Sequence, residues 1–335
     1  MKNICITTVT CAYLRASLRN LWKTVVFCFI LTFLFHASFH GFTVLLAGER
    51  TVIVIQSQPI AAYNEAIKGF EESCKRNNVS IAGIYDLKGD IDEGKRVIKN
   101  IKDDKLRPDL ILAVGILATT LVKEQFNNIP IIFCMVINYK RFNLAGANIT
   151  GISSEVSVKD QFTILKELFG TGKNVGVIYD PKETGGIISE AVSIVGKSNF
   201  NLVKTEVTSG DQVASALKNI VNKIDALWII PDGTVVTKES LEIILKMSLK
   251  HRLPVFCTSS AIVKAGALVS ISPDYRQTGI QAAQLAQTLL NSPKVISLGV
   301  KQPDKLKVTL NTQTAGIIRV DISPLRSRPD VVLYP

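Results

Sequence analysis

The feature that most constrains this chain is a regular alternation of short apolar runs with longer stretches of helical periodicity. The run Thr51–Ile55 is almost wholly apolar, which is typical of a strand covered on both faces of a sheet. The stretch Ala61–Cys74 then repeats apolar residues at helical spacing. The same unit recurs until Val136 and predicts a β-α-β-α-β-α-β order, which is typical of a parallel, doubly wound sheet.

A second alternation of the same kind begins with a predicted helix at Val158–Phe169. Five strands with helices between them are then predicted, at Val175–Tyr179, Leu202–Val207, Asp225–Ile230, Pro254–Phe256 and Ala267–Ile271. A long helix at Tyr275–Leu290 precedes a late strand at Val308–Leu310. The sequence therefore predicts an α/β protein with two doubly wound parallel-sheet lobes.

The segment that joins the two halves extends from Ile129 to Lys182. The apolar strand Ile129–Val136 gives way to a polar, glycine-bearing passage at Asn138–Gly151, and a helix follows. A polar passage between two similar halves indicates a crossing between lobes, so we expect a cleft at this point.

The first 47 residues differ from the rest because they contain Lys and Arg but no Asp or Glu. Lys23 precedes an apolar run, Thr24–Phe35, of the length found in signal peptides. If the whole of Thr24–Ala47 is helical, it is also long enough to span a bilayer. A cleaved signal peptide and a retained anchor both stay open, and either predicts a periplasmic or other extracytoplasmic location.

Charge and cysteine content limit the partners. The formal charge is +11, and it is +7 without the four cationic residues of the first 47. No basic run is interleaved with aromatic residues, so we predict no nucleic-acid partner. After residue 47 the cysteines are Cys74, Cys134 and Cys257, and their spacing fits neither a zinc site nor a disulfide framework. We expect small core residues, with no metal or cofactor.

Motifs of known catalytic sites are absent from the sequence. It has no Gly-x-Ser-x-Gly elbow, P-loop or His-Glu-x-x-His pattern, and His251 is the only histidine after residue 47. With a single histidine, this part of the chain offers almost no residues for a catalytic triad. We therefore predict that the protein is not an enzyme.

Ligands of such sheets bind just beyond the carboxyl ends of the strands, where loops and helix N-termini gather. The candidate ligand-binding residues at these positions are Ser57, Gln58, Gly115, Ile116, Asn138 and Tyr139 in the first half, and Glu183, Thr184, Asp232, Thr258, Ser259 and Tyr275 in the second. Helix N-termini favour anionic groups, whereas carboxylates such as Glu183 and Asp232 favour an ammonium. We therefore expect a small polar ligand between the lobes.

Structural roles are the alternative for each candidate. Glu183 and Asp232 are also placed to cap helices or complement helix dipoles. The two tyrosines are suited to packing at the hinge, and Thr258 and Ser259 to capping a short helix.

Seven sequence phrases carry a resemblance to a known family: Asp109–Gly115, Ile129–Phe133, Gly146–Gly151, Asn174–Pro181, Asp225–Asp232, Pro254–Phe256 and Lys264–Ala267. In this order they resemble the ABC-transporter substrate-binding proteins of the tryptophan/tyrosine-binding type, over roughly residues 50–320. The resemblance implies the fold of type I periplasmic binding proteins, with crossings near Thr150, Asp274 and residues 298–303. It also implies capture of an amino-acid-like solute and its delivery to a membrane permease with its ATPase.

The resemblance also implies domain boundaries. We expect a signal peptide or anchor at 1–47, one lobe at 48–152 plus about 275–300, the other at 153–274 plus about 301–322, and a C-terminal tail at 323–335. Departures from the family's usual residues fall at the cleft, namely Ile116 for Thr, Asn138–Tyr139 for Asp-Pro, Gly185–Gly186 for Asn-Ser and Gly233 for Asn. These changes leave the identity of the ligand open.

Two other functions are compatible with the same architecture. A sensory binding protein would present its ligand to a membrane receptor or histidine kinase, and this alternative stays open. A repressor core would need a helix-turn-helix before Thr51, where an apolar segment stands instead.

Overall fold

A computed structural model describes residues 50–103 and 107–335, and the signal peptide or anchor predicted at 1–47 lies outside the described residues. In chain order the strands are β1 (Thr51–Gln56), β2 (Ser80–Asp86), β3 (Leu110–Val114), β4 (Ile131–Val136), β5 (Ile149–Ser153), β6 (Asn174–Tyr179), β7 (Asn201–Glu206), β8 (Ala226–Ile229), β9 (Val255–Cys257), β10 (Val269–Pro273), β11 (Val300–Lys301), β12 (Leu306–Asn311) and β13 (Val331–Tyr334).

The helices of the described residues alternate with these strands. They are α1 (Ala61–Arg76), α2 (Ile91–Asp103), α3 (Ile116–Gln125), α4 (Val158–Phe169), α5 (Pro181–Lys197), α6 (Val213–Ile220), α7 (Lys238–Lys250), α8 (Ser260–Lys264), α9 (Tyr275–Leu290), α10 (Thr312–Ile318) and α11 (Ser323–Arg326). Short 3-10 turns lie at Tyr139–Phe142 and Gly210–Gln212.

The first sheet is wholly parallel and has the order β11-β5-β4-β3-β1-β2. Its central strands are buried on both faces, as their continuous apolar sequences predict. Alternate residues of β1 face different helical layers, since Val52 and Val54 pack with α1 and α9 whereas Ile53 and Ile55 pack with α2 and α3. We call this sheet with its helices lobe 1.

Helices α1 and α9 pack in direct backbone contact within lobe 1. A Cβ atom on Gly279 would lie 1.8 Å from the carbonyl oxygen of Ala66, and one on Gly69 would lie 2.0 Å from that of Arg276. Only glycine therefore fits at either position. Because α9 begins just after β10 of the other sheet, this contact fixes one side of the hinge between the lobes.

The second sheet has the order β13-β12-β10-β9-β8-β6-β7 and forms lobe 2 with its helices. Its core contains an aromatic cluster in which Phe162 meets Trp228 and Phe256 edge-on, at ring-centroid distances of 5.2 and 5.7 Å. The buried indole donates from Nε1 to Gln161 Oε1 at 2.8 Å, so its polar atom is satisfied.

One strand pair of lobe 2 departs from the parallel order. Strand β12 runs antiparallel to β10, with Leu306 opposite Pro273. The two strands run in opposite directions because β10 ends at the hinge whereas β12 begins there. The antiparallel pair therefore brings the last part of the chain back into lobe 2.

Sequence analysis did not assign several elements of the described residues, among them β11, α10 and the elements of two further segments. The end of the predicted polar passage forms β5, where a Cβ on Gly151 would lie 2.1 Å from Phe133 Cζ, so this glycine serves packing rather than a turn. The segment expected to be a tail, 323–335, contains α11 and β13, and β13 pairs with β12. Arg328 ties this segment to α4 through an ion pair with Glu167, and it also pairs with Asp330 within the segment.

Three connections join the lobes, at 154–157, at Asp274 and at 302–305. Gln281 of α9 donates from Nε2 to the carbonyl of Gln302 at 2.8 Å, and the Asp274 N–H donates to the carbonyl of Lys305 at 2.9 Å. These bonds tie two of the three connections to each other. Within residues 50–103 and 107–335, no helix combines the length and apolar character needed to cross a membrane.

Candidate ligand-binding cleft

The carboxyl edges of the two sheets form the candidate site. Ser57, Gln58, Gly115, Ile116, Asn138 and Tyr139 follow strands of lobe 1, and Glu183, Thr184, Asp232, Thr258 and Ser259 follow strands of lobe 2. Tyr275 begins α9 at the hinge. The structure thus places the predicted residues at the two edges where parallel sheets bind ligands.

The two edges meet through Arg141 and Glu183. Arg141 lies in the 3-10 turn after β4, and Glu183 lies in the first turn of α5. The guanidinium donates from Nη2 to Oε1 at 2.9 Å and from Nη1 to Oε2, which makes a bidentate pair. The hydrogen bond and charge of Glu183 raise the pKa of Arg141, so the cation is held firmly in its charged form.

Sequence reasoning missed Arg141, although a signal was present. The residue stands in the polar passage, two positions after Tyr139, and it is a cation beside a predicted anionic candidate on the other lobe. Its partner was not identifiable because the pairing joins two separate lobes.

Asp232 holds the edge of lobe 2 together from within. The residue is 1% exposed, and its Oδ2 accepts from the Asp180 N–H at 2.8 Å and from Thr184 Oγ1 at 2.6 Å. Its Oδ1 accepts from the N–H groups of Thr234 and Val235 at 3.0 and 3.1 Å. The carboxylate is therefore saturated, and a ligand would have to displace one of these donors to reach it.

This network also sets the start of α5. Asp180 is the N-cap and accepts from the Lys182 N–H at 2.9 Å, while Thr234 Oγ1 donates to its other oxygen at 2.9 Å. Thr184 is buried and donates its hydroxyl to Asp232. Of the two acidic candidates in lobe 2, Glu183 is the one whose side chain reaches solvent, at 28% exposure. Asp232 is therefore held by hydrogen bonds inside lobe 2 whereas Glu183 faces outward, and a ligand contact of either residue stays a prediction.

In lobe 1, Ser57 caps α3, the helix whose N-cap residue is Gly115. Its Oγ accepts from the Ala118 N–H at 3.0 Å, in the first turn of α3. Gly115 has a φ of +87°, and a Cβ there would lie 2.7 Å from both Ser57 Oγ and the hydroxyl oxygen of Tyr63. Ser57 and Gly115 therefore shape the N-terminus of α3, next to the half-buried Ile116.

Gln56 is a candidate that sequence reasoning missed. It is 8% exposed, and its buried Oε1 has no hydrogen-bond partner among the described residues. It is the last residue of β1, in register with Val114, so it lies at the same edge as Ser57 but on the other face of the sheet. The candidate residues predicted from the sequence began at Ser57. Gln56 was not included, because the last position of a buried strand is normally a core position.

The end of β4 and the turn that follows it contain residues with left-handed backbone. Met135, Asn138 and Asn143 have φ values of 60°, 53° and 47°, and the pairing of β4 with β5 shifts register at Met135. The ring of Tyr139 lies 6.1 Å from that of Phe133, so it packs on the core of lobe 1. The turn thereby presents Arg141 towards lobe 2.

Tyr275 bridges the lobes at the hinge. Its ring packs against the core of lobe 1, and the side chains of Ser272 and Ser260 of lobe 2 lie beside its hydroxyl. Burial is the main cause that raises its pKa. Ser259 is the N-cap of α8 but its side chain makes no capping bond, and the half-buried Thr258 precedes it. The hydroxyls of these two residues are thus not used in capping α8.

The remaining chemistry of the described residues lies outside the cleft. Cys74, Cys134 and Cys257 are free and buried, which confirms their predicted core role. Among residues 50–103 and 107–335 no group of three His, Cys, Asp or Glu side chains is arranged to hold a metal. A cavity of about 350 Å³ lies between the far ends of α2 and α3, lined by residues such as Lys99 and Leu121, at the opposite edge of the sheet from the candidate site.

Two α/β lobes joined by three connections, with polar groups at facing strand ends, define a two-lobed ligand-binding protein. The chain belongs to the ABC transporter substrate binding protein family, whose model matches residues 49–324. The resemblance carried by the seven sequence phrases is thereby confirmed. This is a family of binding proteins.

Two relatives extend over most of the chain. The tyrosine-binding protein of Clostridioides difficile (strain R20291) is 25% identical over 255 residues, which cover 74% of this chain and 72% of the relative. A protein of Rickettsia prowazekii (strain Madrid E) is 23% identical over 284 residues, which cover 84% of this chain and 88% of the relative.

Solved structures share the fold. The ligand-free, open structure of a substrate binding protein with adhesive properties from Clostridium difficile has a TM-score of 0.74 at 22% identity, and the match covers 85% of this chain and 99% of that one. A domain in complex with L-Trp from Streptococcus pneumonia has a TM-score of 0.65 at 19% identity, with coverage of 85% and 100%. At these identities the likeness concerns the fold alone.

Proposed function

We propose that this protein is an extracytoplasmic solute receptor of an ABC importer that binds a small amino-acid-like ligand between its lobes. The observation that carries the proposal is the cleft between two carboxyl edges, across which Arg141 reaches Glu183. Family membership supports the class of receptor. The tyrosine-binding relative and the L-Trp complex support an amino acid as the class of ligand.

The ligand contacts are assigned to groups that remain available at the two edges. In lobe 1 these are the free acceptor of Gln56, the N-terminus of α3 at Ile116, the exposed Gln58 and the half-buried Asn138. The Gln56 oxygen suits an ammonium or hydroxyl donor, whereas a helix N-terminus suits a carboxylate. In lobe 2 the available groups are the hydroxyls of Thr258 and Ser259. Ser57, Thr184 and Asp232 support these surfaces from behind.

A thermal-shift screen of the full-length protein tests the ligand class. The probes are the twenty amino acids, a set of purines and a set of small carboxylates. We expect an amino acid to raise the melting temperature, because a ligand of the folded state at a hundred times its Kd adds about 2.7 kcal/mol. A shift produced by purines or carboxylates with none from any amino acid would contradict the proposal.

We further propose that residues 1–47 direct export and that a membrane permease with its ATPase is the partner. An apolar run after a cationic stretch supports export. Fractionation of cells with an epitope on the exposed α7 should place the protein outside the cytoplasm, and copurification should recover the permease. A cytoplasmic protein that recovers no permease would contradict both parts.

A further inference from the structure

The ion pair between Arg141 and Glu183 differs from the other ion pairs of the described residues. The pairs of Arg50, Arg96, Arg276 and Arg328 are each made within one lobe, and the Lys307–Asp274 pair lies at the hinge. Arg141–Glu183 joins the lobes away from the hinge. Its side chains are 48% and 28% exposed, so the pair stands at the solvent-facing mouth of the cleft.

We propose that Arg141 and Glu183 form a clasp that holds the two lobes together over the bound solute. Arg141 is a positioning residue in this scheme, because it acts through Glu183 and the position of lobe 1. The inference rests on the proposed function, in which a solute is captured between closing lobes. It gives Glu183 a role different from that of an ammonium receptor.

The geometry of the pair suits a clasp. A guanidinium that bonds both oxygens of a carboxylate fixes distance and orientation together. Arg141 is carried by a turn whose ends are held, since the Arg141 N–H donates to the Asn138 carbonyl at 3.0 Å and Lys123 donates to the Asn143 carbonyl. Both sides of the cleft therefore present the pair from ordered backbone.

The surroundings of Glu183 leave the pair free to form and break. A Cβ on Gly233 would lie 4.0 Å from Glu183 Oε2, and one on Gly186 would have no neighbour within 4 Å. Among the described residues, Arg141 is the cation that pairs with Glu183. A solvent-exposed pair is weak, so it can stabilise closure without preventing release.

A contact made only in the closed form shifts the balance between open and closed forms. It therefore raises the affinity for every ligand by the same factor, which for an exposed pair is roughly two- to fivefold. A direct contact between Arg141 and a ligand carboxylate would instead act only on ligands that carry a carboxylate. The two roles predict different patterns of loss.

The first test measures closure without a ligand. Donor and acceptor dyes are attached to the full-length protein through encoded azido residues at the exposed positions Lys75 of α1 and Lys218 of α6. At low salt, we expect Arg141→Ala to change the energy transfer in the direction of a longer mean distance between the lobes. The double variant R141E/E183R restores the pair with exchanged charges and should recover the wild-type value.

The matched control is Arg96→Ala, which removes an exposed ion pair with Glu93 inside lobe 1 and should leave the energy transfer unchanged. High salt should move the wild type towards Arg141→Ala. Equal transfer in the wild type, Arg141→Ala and the double variant would overturn the clasp. Because no ligand is present, this result is independent of the ligand class.

The second test uses any amino acid found by the thermal-shift screen, together with its carboxamide. We expect Arg141→Ala to weaken both by the same two- to fivefold factor, and the double variant to restore both. Loss confined to the amino acid, without rescue in the double variant, would assign Arg141 to the ligand carboxylate and overturn the clasp.

Discussion

The two edges of the cleft are built in opposite ways. In lobe 2 a single buried carboxylate, Asp232, accepts four hydrogen bonds and joins the ends of β6 and β8. In lobe 1 the backbone is left-handed at Met135 and Asn138, and the Gln56 oxygen has no hydrogen-bond partner among the described residues. We infer that the edge of lobe 2 is held by its own hydrogen bonds at Asp232, whereas the edge of lobe 1 is less constrained.

The rigid part of lobe 1 lies elsewhere, in the contact of α1 with α9. Substitution Gly279→Ala should lower the free energy of unfolding by about 3 kcal/mol or more, because the new methyl group would overlap the Ala66 carbonyl and force the helices apart. The control Gly196→Ala, at a helical position with free space, should raise stability by about 0.5 kcal/mol. Urea unfolding measures both, and equal values would show that the helix contact is not the rigid part.

Substitution Asp232→Ala tests the fixed edge of lobe 2. It leaves three N–H groups and the Thr184 hydroxyl without their acceptor, so we expect a loss of about 1–3 kcal/mol in the free energy of unfolding. Ligand affinity should fall as a consequence. Asp232→Asn keeps one acceptor oxygen and should lose less. Full stability with loss of binding would instead make Asp232 a direct ligand contact.

Substitution Gln56→Leu tests the free groups of lobe 1. The Oε1 atom accepts no hydrogen bond within the described residues, so the free energy of unfolding should change by less than about 0.5 kcal/mol. Affinity for the amino acid should fall about tenfold, the equivalent of one hydrogen bond. Calorimetric titration measures the effect, and Gln284→Leu, at an exposed position of α9 outside the candidate site, is the matched control. Unchanged affinity would remove Gln56 from the site.

The smallest expected effect concerns two of the three buried thiols of the described residues, Cys134 of lobe 1 and Cys257 of lobe 2. Burial raises the pKa of both Cys134 and Cys257 to about 12, so at pH 8 almost no thiolate is present and alkylation of the native protein should be negligible. In mild urea we expect Cys134 to be alkylated before Cys257, because the edge of lobe 1 lacks the network of Asp232. Peptide mass mapping gives the order, and the reverse order would contradict the comparison.

Sequence reasoning predicted the alternation of strands and helices, since each signal is local. It did not assign β5, because Gly151 in a polar run resembles a turn residue, whereas the glycine makes room for the Phe133 ring. It predicted a strand at Val308–Leu310 but not the antiparallel direction of β12, because that direction follows from the hinge and not from the strand's own residues.

The site was harder to predict than the fold. Glu183 and Asp232 look alike in sequence, as acids that follow apolar strands. Only burial separates them, since one is enclosed by four donors and the other reaches solvent. Arg141 and Gln56 gain their importance from neighbours distant in sequence, so no local pattern identified them.

The glycine contact between α1 and α9 also bears on the order of events during synthesis. As α1 leaves the ribosome, the face that holds Gly69 and Phe70 has no partner, and it stays uncovered until residues after Asp274 have been translated. Lobe 1 thus waits for nearly all of lobe 2 to be made. A nascent chain of this kind stays open for longer, which is compatible with the export proposed above.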